Sequence, residues 1–208
     1  MSKLNLPNRL TVMRLIMVPF CIAAVVIPED WIGADLSAVI AAVIFIAASL
    51  TDMIDGRIAR SRGLITDFGK FLDPLADKFM VIGTMLAIVY RYENIRPWFF
   101  WVVLIVVFRE FAVTSIRLVA STGGGVVVAA SWLGKVKTTM QMICICCVLL
   151  EPVIFRGFLS LFGDSSVIGF WLDHLPLTVV SSVLTVIYTI WSGVNYIKGC
   201  WKYLDAEK

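Results

Sequence analysis

Six stretches of this chain, at about 10–28, 34–53, 71–90, 97–120, 136–155 and 175–198, are each mostly apolar over close to 20 residues. A helix of that length spans the hydrocarbon layer of a bilayer. Within such a layer only helices and closed barrels satisfy every backbone N–H and C=O. The whole chain of 208 residues is 60% hydrophobic, with a mean hydropathy of +0.90. Those values exclude an ordinary soluble domain. The expected fold is an all-α integral membrane protein with six transmembrane helices, forming one domain over 1–208. Lys3 and Arg9 ahead of the first apolar run resemble the start of a signal peptide. Arg14 interrupts that run, so an uncleaved first span is expected. The segment 156–174, with Gly157, Gly163, Asp164, Ser165, Ser166 and Gly169 among aromatics, reads as an outer loop lying on the interface.

The cations set an orientation. With a cytoplasmic N-terminus, fifteen of the eighteen Lys and Arg residues fall inside, and only Arg91, Arg96 and Arg156 outside. The positive-inside rule then expects both termini in the cytoplasm. Glu29, Asp30 and Asp35 in the first outer loop agree. Cys21, Cys144, Cys146, Cys147 and Cys200 all sit in apolar runs without histidines at metal spacing, and read as small buried hydrophobes. His174, near an outer helix start, reads as interfacial.

Against this background four aspartates need a reason to be present. Asp52 and Asp55 are three apart, and Asp73 and Asp77 four apart. Either spacing puts two carboxylates on one helix face, with Cβ atoms about 5–6 Å apart. Ser61-Arg62-Gly63 and Thr66-Asp67 between them suggest one helix ending and another being capped. Two neighbouring helices would thus each present a carboxylate pair at the cytoplasmic side. An ionised aspartate within a span costs on the order of 3 kcal/mol. Two divalent cations would cancel four such charges, and an all-oxygen donor set suits Mg2+ or Mn2+. Two metals about 3.5–4 Å apart can clamp a phosphoryl group during a displacement. Two other readings stand beside this one. The aspartates could pair with Arg57, Arg60, Lys70 and Lys78, or they could line a cation or proton pathway. A transporter should carry mid-membrane acids in several spans, whereas Glu110 and Glu151 are the remaining in-span acids. Gly56, Ala59 and Gly69 leave room for a flat group near the backbone, although small residues also serve helix packing.

The run Asp52-x-x-Asp55-Gly56-x-x-Ala59-Arg60, eight residues, then Gly69-x-x-x-Asp73-x-x-x-Asp77 resembles the motif of the CDP-alcohol phosphotransferases at every defined position. That resemblance implies a six-helix membrane enzyme, usually a homodimer, with a dinuclear Mg2+ or Mn2+ site. Asp52, Asp55, Asp73 and Asp77 would be the ligands, and Asp77 also the general base. Gly56, Ala59, Arg60 and Gly69 would line the cytidine diphosphate site, with Asn8 nearby. Pro7-Asn8-x-x-Thr11-x-x-Arg14, Asp73-Pro-Leu-Ala-Asp77-Lys78, Arg109-Glu-Phe and Gly134-Lys-Val-Lys-Thr138 resemble the branch whose acceptor is glycerol 3-phosphate. The partners implied are CDP-diacylglycerol, glycerol 3-phosphate and membrane lipids, without nucleic acid. The site would lie on the cytoplasmic side of a bacterial inner membrane.

A phosphate dianion requires a cluster of cations. Arg109 and Arg117 are eight apart and so share a helix face, with Thr114 and Ser115 between them. Lys135 and Lys137 begin the next span. Snorkelling to lipid headgroups is the competing role for each, and for Lys137 it is the favoured one. Glu110 is expected to pair with a neighbouring cation. Acceptors other than glycerol 3-phosphate stay open: phosphatidylglycerol, as in a cardiolipin synthase, an inositol phosphate, or serine.

Overall fold

The computed structural model describes residues 6–62, 67–124, 132–162 and 166–201, with the side chains of residues 6–7, 55–62, 67–68, 70, 119–124, 159–160, 162 and 166–168 excepted. The described residues form eight helices and no strand. They are α1 (Leu6–Val26), α2 (Glu29–Ile32), α3 (Ala34–Arg62), α4 (Asp67–Arg91), α5 (Arg96–Gly124), α6 (Trp132–Phe162), α7 (Ser166–His174) and α8 (Pro176–Cys200). Each apolar run became a long helix. Five stretches are long and apolar enough to cross a membrane: Asn8–Val26, Ala34–Ile54, Arg96–Leu118, Trp132–Phe158 and Gly169–Cys200. α4 is not among them. Asp73, Asp77 and Lys78 occupy its first half, and the uncharged run from Phe79 to Tyr90 is shorter than a span.

The segment 156–174 corrects the expected outer loop. α6 continues through Gly157 to Phe162, and Ser166–His174 is a helix of its own. The aromatics that looked interfacial hold it in place. Phe155 of α6 stacks on Trp171 of α7 at 4.7 Å, and Phe170 stacks on His174 at 4.3 Å.

The bundle turns large apolar side chains outward, as a lipid solvent allows, and buries a set of polar and charged ones. Phe20, Leu86, Trp101, Phe108 and Trp191 face outward, while Thr11, Arg14, Thr84, Lys137, Gln141 and Glu151 are buried. α1 packs on α3 and α4, α6 on α3 and α8, and α5 on α4 and α8. The apolar core runs through α1, α3, α4, α5 and α6, around Phe45, Met80, Met85, Phe99 and Leu149. Gly83 allows α4 to meet α1 closely, since a Cβ there would lie 2.9 Å from Ile22 Cδ1. Cys21, Cys144 and Cys200 are buried as expected, whereas Cys146 and Cys147 are half-buried.

One buried acid has a structural task. Glu151, 2% exposed, accepts the Leu177 N–H at 2.9 Å and the Thr178 N–H at 2.7 Å. These are among the first N–H groups of α8, which lack partners within their own helix. Pro176 at the helix start has no N–H to satisfy, and Leu175 before it takes a left-handed turn with φ 44°. The carboxylate also meets the positive end of the helix dipole. Hydrogen bonds to charged groups contribute about 1.5–3 kcal/mol each. Glu151→Leu should therefore lower thermal stability in detergent by about 3 kcal/mol or more. An unchanged melting temperature would show that the cap contributes nothing.

Candidate active site

The polar centre is assembled where α1 crosses α3 and α4. Thr11 and Arg14 are three apart on α1 and share a face. Thr11 Oγ1 donates to Asp73 Oδ1 at 2.6 Å. Arg14 Nη1 contacts Asp52 Oδ1 at 2.6 Å and Asp77 Oδ1 at 2.9 Å. One fully buried guanidinium thus bridges carboxylates from two helices, and a hydroxyl one turn earlier holds a third. Asp52 and Asp77 remain partly open, with side chains 33% and 43% exposed. α3 runs on past Ile54 to Arg62, so Asp52 and Asp55 lie on one continuous helix, and α4 carries Asp73 and Asp77. The side chains of Asp55, Gly56, Ala59 and Arg60 lie outside the described residues. Among the described residues no three His, Cys, Asp or Glu side chains close around a single ion position. Asn8 and Gly69 are buried near this end of α1 and α4.

A second layer connects α4, α5 and α6. Lys78 Nζ donates to Thr114 Oγ1, whose hydroxyl donates to the Glu110 carbonyl at 2.7 Å. Glu110 Oε1 accepts from Lys137 Nζ and, at 3.2 Å, from Arg109 Nη1. Glu110 is therefore the ion-pair partner that was expected. Lys137 is a correction. Its side chain is 7% exposed and turned onto Glu110, so it does not snorkel to headgroups. A buried ammonium is stable only when paired, and the partner lies on a different helix.

Arg109 and Arg117 do share a face, and that face meets α8. Arg109 Nη2 donates to Ser192 Oγ at 2.6 Å, passing over Gly193, where a Cβ would come within 3.2 Å of Arg109 Cγ. Arg117 Nε donates to the Tyr196 hydroxyl at 3.4 Å, and its guanidinium carbon lies 5.7 Å from that ring's centre. Lys135 is exposed. A pocket of about 160 Å3 lies between α4, α5 and α6, lined by Asp77, Lys78, Glu110, Lys137, Thr138 and Gln141 with apolar neighbours. Of the cations expected to meet an acceptor phosphate, Lys137 lines this pocket directly. Arg109 stands behind Glu110, and Arg117 and Lys135 do not line it.

Residues 4–191 match the sequence profile of the CDP-alcohol phosphatidyltransferase family. The chain belongs to that family. Similar proteins include one from Bacillus subtilis strain 168, 36% identical over 210 residues and 98% of each chain. Another, from Yersinia enterocolitica, is 34% identical over 210 residues, 97% of this chain and 98% of its own. A third, from Escherichia coli K12, is 36% identical over 173 residues, 80% of this chain and 90% of its own. All three are named CDP-diacylglycerol–glycerol-3-phosphate 3-phosphatidyltransferase.

Three residues at this centre had no role assigned from the sequence: Thr11, Arg14 and Gln141. Arg14 did leave a signal. A cation inside an apolar run needs a buried partner or a function, and the carboxylates of α3 and α4 were the available partners.

Proposed function

We propose that this membrane enzyme transfers the phosphatidyl group of CDP-diacylglycerol to glycerol 3-phosphate, giving phosphatidylglycerophosphate and CMP. The observation that carries this reading is the pocket in which the Asp77 carboxylate opens beside Lys78 and Lys137. A base there meets an acceptor hydroxyl while the two ammonium groups hold a phosphate dianion. The names of the three relatives agree with it.

Asp77 takes the proton of the primary hydroxyl. That oxygen bonds to the phosphorus carrying the diacylglycerol as the bond from this phosphorus to the CMP oxygen breaks. Asp52, Asp55, Asp73 and Asp77 would hold two Mg2+ or Mn2+ ions, a donor set of oxygens only, as suits these hard cations. When bound, the metals withdraw charge from the diphosphate and stabilise the departing CMP. Arg14 and Thr11 fix the three described carboxylates by charge-assisted contacts, so the donor oxygens are oriented in advance. Gly56, Ala59, Arg60, Gly69 and Asn8 line the cytidine diphosphate site. Arg109, Arg117 and Lys135 add positive potential behind Lys78 and Lys137.

The same reading puts six spans in a bacterial inner membrane, with both termini and the aspartates cytoplasmic and two copies forming a homodimer. Charge pairing supports that orientation. The three cations assigned to the outer side each meet an acid there: Arg91 with Glu29 at 2.7 Å, Arg96 with Glu93 at 3.3 Å, and Arg156 with Asp35 at 3.1 Å. The outer face is thereby left with little net positive charge.

The test is CMP release by the purified protein with CDP-diacylglycerol and Mg2+ or Mn2+, offered glycerol 3-phosphate, phosphatidylglycerol, an inositol phosphate or serine. Release is expected with glycerol 3-phosphate alone. Release with a different acceptor in its place overturns the substrate assignment, and release with none overturns the enzyme.

A further inference from the structure

We propose that Gln141 reads the non-reacting secondary hydroxyl of the acceptor, which makes it a specificity-determining residue of the transfer. This rests on glycerol 3-phosphate being the acceptor. Gln141 is 2% exposed, and its Nε2 is buried with no hydrogen-bond partner among the described residues. Native proteins leave few such atoms, and each costs about 1–3 kcal/mol. This one belongs to a side chain in the wall of the pocket that also holds Asp77, Lys78 and Lys137. Gln141 is four residues after Lys137, so both project from one face of α6, with the amide one turn further along it.

The other polar groups of the pocket are committed. Glu110 is held by Lys137 and Arg109, and Thr138 Oγ1 donates to the Gly134 carbonyl at 3.0 Å. The acceptor brings three polar groups: a phosphate, a primary hydroxyl that reacts, and a secondary hydroxyl. The phosphate goes to the two ammonium groups and the primary hydroxyl to Asp77. The secondary hydroxyl, lying between them, is neutral and both donates and accepts. A carboxamide matches it on both counts. A site built in this way rejects an analogue lacking the hydroxyl, because the buried amide then stays unpaired.

The experiment compares glycerol 3-phosphate with 3-hydroxypropyl phosphate, the same molecule without the secondary hydroxyl, using CMP release from CDP-diacylglycerol. Wild-type enzyme is expected to prefer glycerol 3-phosphate in kcat/KM. Gln141→Met, which keeps the side-chain volume, should cut kcat/KM for glycerol 3-phosphate by about 10–100-fold. Its kcat/KM for the deoxy compound should stay within about threefold of wild type. Both values come from one protein sample, so a fraction of misfolded enzyme cancels from their ratio. Equal losses on the two compounds, or no loss on either, would overturn the proposal. So would a wild-type enzyme that uses the two equally well, a result that needs no variant. Failure of the acceptor assignment itself looks different: wild-type enzyme then releases CMP with neither compound.

Discussion

Asp77→Asn is expected to reduce CMP release by about a thousandfold or more while the protein keeps its fold and most of its affinity for CDP-diacylglycerol. General-base catalysis contributes about 100- to 10,000-fold. Asparagine matches aspartate in shape but cannot accept the hydroxyl proton, and it is a weaker oxygen donor to a cation. Asp77 is the carboxylate that touches both parts of the site. It contacts Arg14 at 2.9 Å in the aspartate centre, and it lines the pocket with Lys78 and Lys137. Asp52 is joined to the same guanidinium yet does not line that pocket. The measurement is steady-state CMP release with each substrate varied, beside a thermal melt to verify folding. A kcat near wild type would remove Asp77 from the role of base. A large rise in KM for the lipid donor with kcat preserved would make it a donor-binding residue instead.

Spacing alone does not separate Asp52 from Asp77; the family motif singles out Asp77 as the base without showing what surrounds it. Spacing showed that Asp52 with Asp55, and Asp73 with Asp77, share helix faces, because periodicity along one helix is a local property. It could not show what those faces meet. Thr11 reaches Asp73, and Arg14 reaches Asp77, across more than sixty residues of chain, and only packing of α1 on α3 and α4 brings them together. Lys137 illustrates the same limit. A lysine at the start of an apolar run can snorkel or turn inward, and the deciding group was Glu110 on α5, whose position relative to α6 is a tertiary fact. The long helices were legible because about 20 apolar residues in a row admit few alternatives. Their ends were less so. α3 continues to Arg62 as a polar helix beyond its apolar part, where hydropathy carries no signal. In 156–174 the glycines and short polar residues suggested a loop, but stacking of Phe155 on Trp171 supports a helix there. Gln141 left no sequence mark, since a glutamine inside a span becomes informative only once its buried amide is known to lack a partner.

Exhaustive chelation should reduce CMP release to background, and Mg2+ or Mn2+ should restore it where Zn2+ does not. The charges in the aspartate centre give the reason. Asp52, Asp73 and Asp77 bring three carboxylates toward one region, and among the described residues the charge that contacts two of them is the guanidinium of Arg14. A hydroxyl serves the third and supplies no charge. Neighbouring carboxylates repel, and partial burial leaves that repulsion less screened by salt than in bulk water. Divalent cations relieve that repulsion, and an all-oxygen donor set selects hard ions over zinc, which favours nitrogen and sulfur. Binding should also register without turnover. A ligand that binds only the folded state at a hundred times its Kd adds about 2.7 kcal/mol to stability. Mg2+ should therefore raise the melting temperature of the wild-type protein and leave those of Asp52→Asn and Asp73→Asn nearly unmoved. Full activity after chelation would exclude a metal from the reaction. A melting shift preserved in both variants would place the ion elsewhere on the protein.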